Sequence, residues 1–370
     1  MTFKFNLPTR VIYGKNALIE NSAELAELGD SCLIVTGKHG AVQSGALDDA
    51  INALEKENIK YAVFDEIGAN PLISSCHAAG VAARECGARF ILGIGGGSAL
   101  DASKSIAIYA SNETLSPVDI YKRVYDNPPL PVALVGTTAG TGSEVTAVSV
   151  LTNDETGIKK SVKGQDCYAK VSFCDPKYTY SLPYGVTAST ALDAFAHAVE
   201  GFFTEKCDAL SRVYAEKAIP LIYDCLVYLA GNREIDTSVR DDLYFGSILA
   251  GLVINDCGTA FPHPLGYVLT ENYGVAHGTA CAAFFPYFID RCRKFSPEKA
   301  DMFEKMTESA ADVKTLIASL VNLDGITISK EEAHKYSARW ENILPGNFLA
   351  SPGSLTREEA EEILSKVCPA

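Results

Sequence analysis

Leu192-Asp193-Ala194-Phe195-Ala196-His197-Ala198-Val199-Glu200 marks the point at which the chain changes texture. Read as a helix, this stretch sends Asp193 and His197, four residues apart, out of the same face one turn apart. Leu192, Phe195, Val199 and Phe202 recur at helical spacing and supply a neighbouring apolar stripe. From Pro183 onward the segments are long and helix-periodic. Ser296-Pro297 puts proline at a first helical position, and Ser329 with Glu332 and Thr356 with Glu359 read as capping boxes. The apolar run from Leu243 to Ile254 reads as a buried helix. Residues 184–370 are therefore expected to form an all-helical domain.

Before Pro183 the pattern is different. Ser31–Thr36, Tyr61–Phe64, Arg89–Ile94 and Pro131–Val135 are short apolar runs that end in glycine, threonine or turn residues and are separated by helix-like segments. That alternation predicts a parallel sheet buried on both faces by crossover helices, an α/β domain over residues 1–183. Ligands of such sheets bind beyond the carboxyl ends of the strands.

Composition narrows the class. A chain of 370 residues with 47% hydrophobic content is long enough for two cores, and its net charge of -14 argues against a nucleic-acid scaffold. The eleven cysteines include no C-x-x-C pair and make an odd total, unlike a secreted disulfide framework. They read as reduced, mostly buried thiols of a cytoplasmic protein, Cys257 among them. The N-terminus lacks the apolar core of a signal peptide, and no stretch reaches the length of a membrane span. His77 and His334 read as surface residues, and His39 is undecided.

Three groups of residues carry chemistry. Asp193 and His197, taken with His263 in His263-Pro264-Leu265-Gly266 and His277 in Ala276-His277-Gly278, offer one carboxylate and three imidazoles, a set suited to a divalent transition ion. Glu200, one turn beyond His197, either supports that set or packs the helix. Gly95-Gly96-Gly97-Ser98 follows a strand and opens a helix, so its backbone can approach a phosphate closely, with Ser98 as a hydroxyl donor and cap. Thr137-Thr138-Ala139-Gly140-Thr141 offers hydroxyls at another strand end.

These motifs, with Asp101, Lys104, Asp175-Pro176, Leu182-Pro183 and Thr187-Ala188, fall in one order along essentially the whole chain. The sequence resembles the iron-containing, metal-dependent alcohol dehydrogenases. The resemblance implies a Rossmann-like N-terminal domain, a helical C-terminal domain and an active site in the cleft between them. It implies metal ligands at Asp193, His197, His263 and His277, holding Fe2+ or alternatively Zn2+. Its dinucleotide site falls on Gly95, Gly96, Gly97, Ser98, Asp101, Thr137, Thr138 and Thr141, with Asn70 and Lys159 in addition. The expected partners are a small uncharged alcohol or aldehyde and further copies of the chain, a dimer or larger; neither nucleic acid nor a membrane is expected.

Two positions depart from the family pattern. Where many NAD-using members carry an aspartate at the end of the first strand, this chain has Gly37 followed by Lys38, which favours NADP(H) over NAD(H). Where some members have a further histidine four residues after the third ligand, this chain has Tyr267, a substrate or proton-relay contact with a phenol ill-suited to shuttling at neutral pH. Competing readings are a glycerol dehydrogenase or dehydroquinate-synthase-like metal enzyme and a non-catalytic nucleotide-binding protein. A phosphorylated substrate would need a basic pocket, and the basic residues between 185 and 285 (Lys206, Arg212, Lys217, Arg233 and Arg240) all lie away from the proposed ligands in sequence.

Overall fold

A computed structural model of the chain describes residues 3–369. It divides into two compact units, Asn6–Leu182 and a second that runs on from Pro183 and takes in the described residues before Asn6.

The first unit contains eight strands: β1 (Arg10–Tyr13), β2 (Ser31–Thr36), β3 (Lys60–Phe64), β4 (Phe90–Gly95), β5 (Val132–Gly136), β6 (Val148–Thr152), β7 (Lys159–Lys163) and β8 (Val171–Cys174). Six of them form one sheet in the order β1-β8-β5-β4-β2-β3, with every neighbouring pair parallel. Alternate residues of the central strands feed two separate cores, Cys32, Ile34, Leu92 and Val135 on one face and Leu33, Val35, Ile91 and Leu134 on the other. A strand with both faces buried must be apolar throughout, which is why these runs stand out in the sequence. The order in which strands are added reverses between β2 and β4, with β3 on one side of β2 and β4 on the other. Such a switch point opens a crevice at the carboxyl ends of the strands, where Gly37, Gly95 and Thr137 lie.

The four expected strands are present within a residue or two. Sequence reasoning missed β1 and β8, and it did not foresee that β6 and β7 pair antiparallel, as a hairpin outside the main sheet. The hairpin buries only Ser149, Leu151 and Val162, so its apolar signal is weak.

What fixes the Thr137–Thr146 loop is Lys104, on the Gly97–Ser111 helix. Its side chain is fully buried, and its Nζ donates to Ser143 Oγ (2.8 Å), Thr146 O (3.0 Å) and Val148 O (2.8 Å), with Asp101 Oδ1 at 3.6 Å. Burial lowers the Lys104 ammonium, and the Asp101 carboxylate counters that. Asp101 in turn accepts from Ser143 Oγ (2.5 Å) and the Val150 amide (2.8 Å). One helix thereby organises the loop and the start of the hairpin.

Among its described residues the second unit is helical apart from a single bridge between Ile328 and Pro369. Its axis is the Tyr184–Phe203 helix, in which every residue from Ala191 to Phe203 is buried. The Ala209–Gly231, Thr237–Cys257 and His277–Ala282 helices pack on it. Both expected capping boxes form, Ser329 with Glu332 and Thr356 with Glu359, and Asp208 with Ser211 adds a third. No single helix among the described residues is long and apolar enough to cross a membrane.

Replacing Lys104 by Met takes a donor from the Thr146 and Val148 carbonyls and the nearby cation from the Asp101 carboxylate. Lys104→Met is expected to cost about 3 kcal/mol or more, read as an earlier urea unfolding transition than that of the native chain.

Candidate metal centre and nucleotide turn

Asp193 and His197 leave one face of the Tyr184–Phe203 helix, as their spacing requires, while Phe195 turns away to pack on Tyr223, Phe285 and Phe303. His263 enters from the first turn of the Pro262–Tyr273 helix, and His277 is the first residue of the His277–Ala282 helix. Gly278 brings His277 this close: a Cβ there would fall 1.8 Å from the Ser189 carbonyl oxygen and 2.8 Å from the Asp193 nitrogen. Only glycine lets the two helices touch by their backbones.

The result is a convergence on one atom. The Nε2 atoms of His197, His263 and His277 lie 3.6, 3.6 and 3.8 Å from Asp193 Oδ1. Those distances are too long for hydrogen bonds. They match the spacing of ligand atoms around one ion, about 3.4 Å for a tetrahedral set with bonds of about 2.0–2.2 Å. Asp193 Oδ1 and His263 Nε2 are buried and have no hydrogen-bond partner among the described residues. Orphaned polar atoms of complementary character, aimed at one point, fit a cation that completes them.

Electrostatics agree. Burial alone would raise the Asp193 carboxyl, but His197, His277 and His263 hold it well below the usual carboxylate range. Burial would lower His263, but Glu200 and Asp193 push it up to about 10. These neighbours favour the charged forms of Asp193 and His263, and a cation entering the site competes with the proton on His263.

Glu200 settles into the supporting role that its sequence position left open. It is fully buried, accepts the Ala260 amide at 2.7 Å, and lies 2.8 Å from His263 Nδ1 through Oε1. With the Nδ1 proton donated to Glu200, the Nε2 lone pair of His263 faces the cluster. Burial raises the Glu200 carboxyl even against His263 and the Ala260 amide.

In the first unit, Thr137 N donates to Gly95 O (2.9 Å), the Asn70 amide to Ser98 Oγ (3.3 Å), and Lys159 Nζ to Asn70 Oδ1 (2.9 Å). Gly95–Ser98, Thr137, Asn70 and Lys159 thus gather at the ends of β4 and β5. Thr138 and Thr141 close on the turn, since a Cβ at Gly96 or Gly97 would meet them at 2.9 and 2.4 Å. Ser98 does not cap its helix: Gly96 is the N-cap, and the Ser98 hydroxyl is engaged by Asn70 instead. Asp101 directs its carboxylate to the loop and Lys104, as described above. Gly37 is half-buried at the end of β2, and Lys38 beside it is exposed.

Residues 8–176 match the iron-containing alcohol dehydrogenase family, and residues 187–343 match the C-terminal domain of the same family. The 1,3-propanediol dehydrogenase of Klebsiella pneumoniae is 32% identical over 336 residues, 88% of this chain and 84% of that one. The chain belongs to the iron-containing alcohol dehydrogenase family.

An iron-containing alcohol dehydrogenase from Thermotoga maritima has the same fold, with a TM-score of 0.91, 32% identity and complete coverage of both chains. Sulfoacetaldehyde reductase from Bifidobacterium kashiwanohense, solved in complex with NAD+, superimposes with a TM-score of 0.87 at 26% identity, again over the whole of both chains. Family membership implies a divalent metal and a nicotinamide cofactor, and the imidazole cluster is a site suited to that metal.

Two neighbours of the alcohol dehydrogenase cluster bear on His277. Tyr267 stacks on its ring, with centroids 5.4 Å apart and planes 20° from parallel. Cys281, which sequence reasoning passed over, sets Sγ 3.7 Å from both ring nitrogens, against the ring rather than on either lone pair. Its sulfur also lies within 4.8 Å of the donor atoms of Asp193, His263 and His277. The signal for it was the same four-residue spacing that links Asp193 to His197. Of the other histidines, His334 is exposed and pairs with Glu361, whereas His77 is half-buried with its ring edge-on to Tyr109, not on the open surface.

Glu200→Gln keeps the shape but removes the anionic partner of His263. It is expected to weaken metal binding by about 10–100-fold, measured by competition with a chelator of known affinity.

Proposed function

We propose that this alcohol dehydrogenase interconverts a small uncharged alcohol and its aldehyde, with Asp193, His197, His263 and His277 as metal ligands and NADP(H) as the preferred coenzyme. The observation that carries the reading is the orphaned Asp193 Oδ1 with three imidazole nitrogens 3.6–3.8 Å away. A divalent ion held by these four residues would supply Lewis acidity toward an alcohol or carbonyl oxygen, and a bound nicotinamide would supply the hydride donor or acceptor. The protein residues do the rest by positioning. Glu200 orients His263, the stacked His197 and His263 rings brace each other at 4.8 Å, and Tyr267 and Cys281 press on His277. His277 is the most open of the four, with 26% of its side chain exposed against 4–7% for the others, so a substrate reaches the cluster past it.

Gly95–Ser98, Thr137, Thr138 and Thr141 cradle the diphosphate through backbone amides and hydroxyls, with Asn70 and Lys159 beside them. Fe2+ is the preferred ion on the chain's family membership, with Zn2+ suited to the same nitrogen and oxygen donors. Eleven free thiols fit a reducing compartment such as the cytoplasm.

Coenzyme choice rests on Gly37 and Lys38. Position 37 itself supplies no carboxylate, and a Cβ at Gly37 would lie 2.9 Å from the Ile67 carbonyl oxygen, so the backbone disfavours a side chain there. Lys38 supplies an exposed positive charge at that strand end.

The test of function is absorbance at 340 nm with a panel of short alcohols and aldehydes, each coenzyme, and added Fe2+ or Zn2+. His263→Ala should lose metal and turnover while keeping its helical circular dichroism; unchanged metal content would remove His263 from the ligand set. Lys38→Ala should lower kcat/KM for NADP(H) by about tenfold, equivalent to about 1.4 kcal/mol, and leave NAD(H) nearly unchanged. A native preference for NAD(H) would reject the coenzyme assignment.

A further inference from the structure

The four proposed ligands leave one donor of the cluster unused. Cys281 stands one turn beyond His277 on the His277–Ala282 helix and is completely buried. Gly266, on the Pro262–Tyr273 helix that carries His263, makes room for it: a Cβ there would fall 2.8 Å from Cys281 Sγ and 2.9 Å from the Cys281 nitrogen. The sulfur lies 3.7 Å from His277 Nε2. A nitrogen and a sulfur on one zinc ion, with bonds of about 2.0 and 2.3 Å at tetrahedral angles, are about 3.6 Å apart. Donor atoms of Asp193, His263, His277 and Cys281 all fall within 4.8 Å of one another. Two sets of four donors thus overlap at Asp193, His263 and His277; His197 completes one with nitrogen, and Cys281 completes the other with sulfur. Asp193 Oδ1 and His263 Nε2, both buried and without a hydrogen-bond partner among the described residues, belong to both sets. The sulfur now rests against the His277 ring, so one ion reaches both only when that imidazole turns. With 26% of its side chain exposed, His277 is the least confined of the three rings.

We propose that Cys281 is a further metal ligand, the sulfur donor of a second coordination mode taken by thiophilic divalent ions such as Zn2+ and Co2+. The inference rests on the ligand assignment above and deepens it. Softness decides between the two modes: thiolate sulfur favours zinc over harder ions, whereas imidazole and carboxylate serve iron equally well. When such an ion binds, the Cys281 S–H bond breaks, the sulfur gives its electron pair to the ion and the proton passes to solvent, with no change of oxidation state. A donor added by the protein also takes up coordination space that a catalytic site keeps open for a substrate oxygen. The identity of the ion therefore decides how open the cluster is.

The experiment strips the full chain of metal with a chelator, loads it with Co2+ alone in the absence of oxygen and records its absorption spectrum. The expected result is a set of visible ligand-field bands together with a near-ultraviolet sulfur-to-cobalt charge-transfer band. X-ray absorption of the Zn2+-loaded chain should show one sulfur at about 2.3 Å beside nitrogen and oxygen at about 2.0–2.2 Å. Cys281→Ser, which keeps the shape of the side chain, and Cys281→Ala should each lose the charge-transfer band and the sulfur shell while keeping bound cobalt and its visible bands. Visible bands without a charge-transfer band in the native chain overturn the Cys281 assignment and leave the reading of Asp193, His197, His263 and His277 standing. A charge-transfer band that survives in Cys281→Ser overturns it too. A native chain that binds no cobalt overturns both.

Discussion

A buried carboxylate oxygen facing three imidazole nitrogens, none near enough to share a proton with it, is the constraint around which the helical unit is built. Burying a charge without a partner costs several kcal/mol, so such an arrangement persists only if a counter-charge completes it. The surroundings are organised to keep the donors at that separation. The Tyr184–Phe203 helix is buried along its ligand-bearing length, Gly278 allows a second backbone to abut it, and Glu200 fixes the ring of His263 from behind. Each removes a freedom that an approaching ion would otherwise have to quench.

The sheet unit solves a different problem by different means. In the glycine turn what matters is the path of the main chain, since a Cβ at Gly96 or Gly97 would meet Thr138 or Thr141. The loop opposite has only one short 3-10 turn of its own, Ser143–Val145. Lys104 and Asp101 hold it from inside the helix that the glycine turn begins, through bonds to Ser143, Thr146, Val148 and Val150. Asp101, which the family resemblance implies beside the cofactor, has its carboxylate bonded within the protein to Ser143 and the Val150 amide.

Much of this was legible in the chain. Strands buried on both faces read as unbroken apolar runs, and helix starts announce themselves through local hydrogen bonds, so β2, β4, β5 and the Ser329 and Thr356 boxes stood out. The edge strand β3 showed through its Tyr61–Phe64 run although it is largely exposed. The pair Asp193 and His197 was legible because helical spacing is a local property. The weak places were those where signal depends on a distant partner. Strand β1 has only four residues, none of them fully buried, and acquires its identity from β8. The β6–β7 hairpin alternates too faintly to declare its direction. Ser98 sits where a cap would, yet Gly96 holds that position and Asn70, from another loop, claims the Ser98 hydroxyl.

Local periodicity, turn chemistry and residue type determined the two fold classes, the helix carrying the first two donors and the glycine turn, because each depends on residues within a few positions of one another. Tertiary structure alone decided that His263 and His277 meet Asp193, that Glu200 serves His263 rather than solvent and that Cys281 rests on His277. Those contacts span stretches of chain that no short-range pattern encodes, and they follow from how helices with buried faces can pack.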